Sequence, residues 1–283
     1  MSDTRTVTPV VVRMLEGRVG STLVMQLLGT SEEICFDRSY PYEHSYLTYL
    51  ARLAAQLDQD VSSRHGMGEI VYSEDPNLPP LPFPPEIVER HDLAREALSG
   101  LWSAFSRALF ARGGARLYAE KFWGDVARLR AAGIDPYVVD LVRDPRDVVA
   151  SVRAFNTKTG VPRFGRERAA DDAAHLVTLV AGMAFRLREL TSATGERRIL
   201  VRYEDLVQDL GSSSAAIGDV LGVDLDPRAV VAAESEMSRH ITAPSVAASV
   251  GRWRSDLAEH EVAAIERRLG RAMESLGYEL ATR

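Results

Sequence analysis

Apolar residues along this chain follow two spacings, and the alternation between them predicts the fold class. Val10-Val11-Val12 is a continuous β-branched run. After the turn Glu16-Gly17-Arg18-Val19-Gly20, the apolar positions from Leu23 to Leu28 recur at helical spacing behind Ser21 and Thr22. A buried parallel strand that feeds a helix produces this pattern. Ile34-Cys35-Phe36 predicts a second strand. Ala115 to Glu120, Tyr137 to Val142 and Arg198 to Val201 predict three more, each followed by a helical pattern. Such alternation predicts an α/β chain with a central parallel sheet flanked by helices.

Leu47, Leu50, Leu53, Ala54 and Leu57 predict a helix from Ser45 to Asp58. A long amphipathic helix is expected from Glu86 to Arg112, with Trp102 and Phe105 in the core and Gly113-Gly114 as its end. Further helices are expected over Ser212–Leu221, Pro227–Met237 and Glu259–Leu276. Gly66 to Pro85 holds six prolines between Pro76 and Pro85, which excludes regular helix or central strand and predicts a long loop or lid. With no internal repeat and no clean linker, one domain over residues 1–283 is expected.

Composition narrows the function more than the fold. At 283 residues, 46% hydrophobic and 26% charged, the chain can build a sizeable core. A net charge of −6 offers no general field for nucleic acid or acidic lipid, so any anion site must be assembled locally. Cys35 is the single cysteine, which excludes an intrachain disulfide and any Cys-rich metal site. The polar Met1 to Pro9 lacks a signal-peptide core, and the apolar run Leu176 to Phe185 is shorter than the ~20 residues that span a bilayer. A cytoplasmic protein without metal, membrane or nucleic-acid partner is expected.

The turn after the first strand has the makings of a phosphate cradle. Gly17 and Gly20 permit a tight turn, so amides from Val19 to Leu23 can face an oxyanion at the positive end of a helix. Ser21 and Thr22 add hydroxyls, and Arg18 adds a permanent charge. The lysine of a kinase-type P-loop is missing from G-R-x-G-S-T. In parallel sheets ligands sit at the carboxyl ends of strands. Here those ends read Glu120-Lys121, Arg143-Asp144-Pro145-Arg146 and Arg202-Tyr203-Glu204-Asp205. Arg143 closes a strand, Pro145 opens a helix and Ser151 lies two turns on, so both can reach one anion. A capped helix with ordinary surface charges is the competing reading.

With these stretches in order, the sequence resembles the sulfotransferases that use 3′-phosphoadenosine 5′-phosphosulfate (PAPS). The first turn, Arg18-Val19-Gly20-Ser21-Thr22, is similar to the family's 5′-phosphosulfate loop. Arg143 and Ser151 match its 3′-phosphate site, and Arg202-Tyr203-Glu204-Asp205-Leu206 is similar to a segment whose tyrosine lies near adenine. Ser249-Val250-Gly251-Arg252-Trp253-Arg254 resembles the late segment folded over the nucleotide, and it offers Ser249 and Arg252 as contacts. The resemblance spans residues 9 to 255. It implies a P-loop nucleotide-kinase-like three-layer architecture, PAPS as sulfuryl donor with 3′,5′-ADP as product, no metal, and in-line transfer to an acceptor hydroxyl or amine.

By the same resemblance Arg18 neutralises charge on the departing phosphate, Glu120 is the base, and Lys121 contacts the transferring group. The family's alternative histidine position is Trp123, so Glu43 and His44 in the early loop stay open as bases. A strand-end ion pair is the competing reading of Glu120 and Lys121. The acceptor, a small molecule, carbohydrate or natural product, is left undetermined, as is the oligomeric state. Rival functions are a P-loop-like kinase and a non-catalytic nucleotide-binding protein.

Overall fold

The computed structural model describes residues 6–55, 92–192, 195, 197–232 and 242–282. Five strands, β1 (Thr8–Met14), β2 (Ile34–Cys35), β3 (Leu117–Phe122), β4 (Tyr137–Val142) and β5 (Arg198–Arg202), form a parallel sheet in the order β2-β3-β1-β4-β5. Ile34 pairs with Leu117, and Val138 to Val142 pair residue for residue with Arg198 to Arg202. The chain divides into two units, Met1–Val10 with Glu33–Pro136 and Val11–Glu32 with Tyr137–Arg283.

The first unit packs α2 (Tyr46–Ala55) against β3 and against α3 (Leu93–Gly113). Gly114, at φ 68°, ends α3 with the hydrogen bond its amide N–H donates to the Phe110 carbonyl, as the Gly-Gly pair predicts. The short α4 (Val126–Ala131) is capped by the Asp125 carboxylate. The rest of the predicted helices at 45–58 and 86–112, and all of the expected Pro-rich lid, lie outside the described residues.

In the second unit α1 (Ser21–Leu28) follows β1, and α5 (Pro145–Thr159) follows β4 with Pro145 in its first turn and Asp144 as cap. α6 (Asp172–Ser192) and α11 (Glu259–Ser275) pack together. Between them run α7 (Tyr203–Gln208), α8 (Leu210–Leu221), α9 (Pro227–Ala232) and the single turn α10 (Trp253–Asp256). The expected helix to Met237 is described as far as Ala232.

One expectation needs correction. β3 does not end at Glu120 but runs on to Phe122, and every residue from Leu117 to Phe122 is buried. Glu120 and Lys121 therefore lie inside a strand covered on both faces, where a charge must be paired within the protein. Asp140, wholly buried in β4, obeys the same rule. Its carboxylate takes a bidentate pair from Arg13 (2.6 and 3.0 Å) and a further bond from Arg198 Nε. Among the described residues no helix is long and apolar enough to cross a membrane, and no cluster of acidic, His or Cys side chains is placed to hold a metal ion.

Candidate active site

The predicted site residues fall into two clusters, one in each unit. In the second unit the turn after β1 is fastened at its entry by Glu16, whose carboxylate accepts from the Gly17 amide (3.0 Å) and from Arg186 Nη1 (3.1 Å). Arg18 and Gly20 both adopt positive φ (69° and 94°), a curl that turns successive amides toward one side. The N-cap of α1 is Gly20, and among the described residues no side chain caps the helix and no acid lies in its first turn, so the positive end of the helix dipole faces no carboxylate from its own turn. Val19 is fully buried beneath the turn. Ser21 is buried and Thr22 half-buried at the helix start.

Aromatic rings shape this cradle from behind. A Cβ on Gly17 would stand 2.2 Å from the Phe164 ring, and one on Gly20 would stand 2.4 Å from the Tyr203 ring. The Arg18 guanidinium lies 4.6 Å from the centre of the Phe155 ring, which meets Phe164 edge-on. His175 is buried, and its Nε2 donates to the Phe164 carbonyl (2.9 Å).

Arg143 is the centre of the cluster. Only 3% exposed, it donates from Nη1 to the Arg18 carbonyl (2.9 Å) and from Nη2 to the Ser249 carbonyl (2.5 Å). Its guanidinium lies 4.5 Å from the centre of the Tyr203 ring. The Tyr203 hydroxyl is 2.8 Å from Ser249 Oγ. Arg143 Nε is buried and has no hydrogen-bond partner among the described residues, the kind of cationic donor that an anion would satisfy. Ser151 is buried further along α5. The structure thus brings Arg18, Gly20, Arg143, Tyr203 and Ser249 together.

Arg252 is arranged differently. Its guanidinium bonds Asp256 (2.7 and 2.6 Å) and the Thr242 hydroxyl (2.9 Å), so it ties the ends of its own loop.

In the first unit Glu120 is 1% exposed and its two oxygens accept four hydrogen bonds: Leu47 N (2.7 Å), Thr48 N (2.8 Å), Thr48 Oγ1 (2.8 Å) and Tyr118 Oη (3.0 Å). The carboxylate caps the first turn of α2 from a neighbouring strand. Burial raises its pKa, against those hydrogen bonds, which lower it. Burial, and then the charge of Glu120, push the Tyr118 phenol up as well.

Lys121, 2% exposed, donates from Nζ to Glu43 Oε1 (2.6 Å) and to the Pro41 carbonyl (2.8 Å). Ser45 Oγ donates to the Lys121 carbonyl (2.6 Å). Adjacent strand residues thus fasten both ends of the 41–48 segment, and Glu43 keeps 55% of its side chain exposed. His44 faces Asp37 at 2.5 Å. Bonds from Ser39, then His44, hold the Asp37 carboxyl down at about 2.

Phe155, Phe164 and Asp147 escaped sequence reasoning. Asp147 was in plain view between Arg143 and Ser151, whereas no motif or spacing singles out the two phenylalanines.

A family model described as "Sulfotransferase family" matches residues 16–227. No curated protein sequence matches the chain. Among solved structures, the chain is similar to the sulfotransferase domain of the Synechococcus PCC 7002 olefin synthase, with TM-score 0.57 and 18% identity over 98% of each chain. It is also similar to a sulfotransferase domain from the curacin biosynthetic pathway, with TM-score 0.55 and 17% identity, covering 97% of this chain and 99% of that one. At such identities the two structures show a shared fold.

Proposed function

The chain belongs to the sulfotransferase family, and from that premise we propose that it moves the sulfuryl group of PAPS to a hydroxyl or amine of a small-molecule, carbohydrate or natural-product acceptor. The observation that carries the nucleotide part is Arg143. A guanidinium locked by two carbonyls and an aromatic face, with Nε buried and without a partner among the described residues, is pre-set for a phosphate. The cradle fits the donor's other end: two positive-φ residues, an uncapped helix start, and Arg18 beside it.

PAPS supplies the activated sulfuryl group. The Arg18–Thr22 turn binds its anionic 5′ side, Arg143 and Ser151 bind the 3′-phosphate, and Tyr203 offers its ring to the base. Of the open choices for the group that accepts the acceptor's proton, the contacts favour Glu43. Glu120 has its oxygens occupied by four donors, while Glu43 is exposed and oriented by Lys121. In this reading Glu120 positions the 41–48 segment, Lys121 holds Glu43, and His44 is engaged by Asp37.

Incubation with sulfur-labelled PAPS and a panel of phenolic, aliphatic-alcohol, sugar and amine acceptors tests the activity. Label transfer with matching release of 3′,5′-ADP is expected for one class. Donor binding without transfer to any class would leave a nucleotide-binding protein in its place.

A further inference from the structure

Asp147 lies in the first turn of α5, between Arg143 and Ser151 in sequence, and is 1% exposed. Its Oδ2 accepts from the Gly251 amide (2.7 Å) and its Oδ1 from the Trp253 amide (2.9 Å). Gly251 takes the left-handed conformation at φ 73°, which favours glycine over any residue with a Cβ. Arg146, next along α5, stacks its guanidinium 3.9 Å from the centre of the Trp253 ring. The turn is thus fixed to α5 through both its backbone and its ring.

The same turn delivers Ser249. The Ser249 carbonyl accepts from Arg143 Nη2 and its hydroxyl meets Tyr203, so the far side of the Arg143 guanidinium is set by a segment that Asp147 holds. A buried carboxylate so near an anion site opposes the anion electrostatically. Its presence calls for a task, and the two amides supply one.

We infer that Asp147 is a positioning residue: its carboxylate latches the Ser249–Trp253 turn to the start of α5 and so fixes Arg143 for reading a 3′-phosphate. The inference rests on the nucleotide reading above, but the latch itself can be tested without nucleotide. Asp147 touches no part of the donor in this account and acts only through Ser249 and Arg143.

The test combines hydrogen exchange at residues 249–253 with calorimetry of 3′,5′-ADP and 5′-AMP, on wild type and on Asp147→Asn. Asn keeps the shape but can accept from only one of the two amides. Exchange at Gly251 and Trp253 should quicken in the variant while β4 stays protected. Affinity for 3′,5′-ADP should drop roughly 10-fold while that for 5′-AMP holds within about twofold, as the loss of one charge-assisted bond implies. Gly251→Ala attacks the same link from its other end and should reproduce the selective loss, which keeps the test alive if Asp147→Asn fails to fold.

Unchanged exchange, or equal losses for both nucleotides, would overturn the latch. Wild-type protein that binds the two nucleotides equally would instead sink the nucleotide reading, and with it the role of the latch. The exchange result would then still say whether Asp147 holds the turn.

Discussion

The ring of Tyr203 lies against Gly20, so close that a Cβ on Gly20 would stand 2.4 Å from the ring carbon Cδ2. Glycine at this position therefore answers two demands, a φ of 94° and the approach of an aromatic ring. Gly20→Ala should cost ~1–2 kcal/mol for the left-handed backbone alone, and it should also displace Tyr203 and weaken 3′,5′-ADP binding. Gly133, at φ 74° with no atom of the described residues close to where its Cβ would stand, provides the control. Gly133→Ala should lose comparable stability in thermal melts and bind nucleotide normally. Wild-type affinity in Gly20→Ala would show that the contact does not shape the site.

Proton abstraction separates Glu43 from Glu120. A positioned base contributes ~10²–10⁴-fold to a rate, so Glu43→Gln should lose that factor in turnover with 3′,5′-ADP binding near wild type. Glu120→Gln should retain more activity and lose stability instead, because an amide NH2 replaces an acceptor among four donors. Full loss of turnover in Glu120→Gln, with Glu43→Gln active, would return the base to Glu120.

Glu120 also leaves a signature in pH dependence. Because burial raises its folded-state pKa, the native protein holds this proton more tightly than the unfolded chain does. The resulting stability is complete below the ordinary glutamate value and is lost as pH rises through the raised one. Urea unfolding between about pH 4 and about pH 8 should show wild type losing ground to Glu120→Gln as pH rises. Parallel pH profiles would contradict the assignment.

A buried network ties the C-terminal residues to α5. Arg146 pairs with Asp144 (2.6 Å) and Glu266 (2.5 Å) and donates to the Glu279 carbonyl (2.9 Å). Glu266 also accepts from the Ala281 and Thr282 amides (2.9 and 2.8 Å). Arg146→Met strips a buried carboxylate pair of its cation, so a loss of about 3–5 kcal/mol is expected in urea denaturation. Arg252→Met, which breaks the more exposed pair with Asp256, should cost less than about 1 kcal/mol. Equal losses would show that burial does not separate the two.

What the sequence disclosed was local. Val10–Val12 before a glycine turn, and Arg143 before Pro145, are short-range signals, and they placed β1, α1, β4 and α5 correctly. Burial and long-range pairing were hidden. Nothing near Glu120 announces the α2 amides that occupy it, and nothing near Asp140 announces Arg13 or Arg198. The strand end at Glu120 was misplaced because Lys121 reads as a surface residue until Glu43 and Pro41 are brought to it by the fold. Arg252 was partly legible, since Asp256 follows it at helical spacing and an (i, i+4) pair competes with any ligand.

The central claim is that Arg143 reads a 3′-phosphate, and calorimetric titration of wild-type protein with 3′,5′-ADP and with 5′-AMP tests it most directly. A charge-assisted bond contributes ~1.5–3 kcal/mol, so 3′,5′-ADP should bind on the order of 10- to 100-fold more tightly, and Arg143→Ala should erase that preference. Equal affinity of the wild-type protein for the two nucleotides would contradict the account.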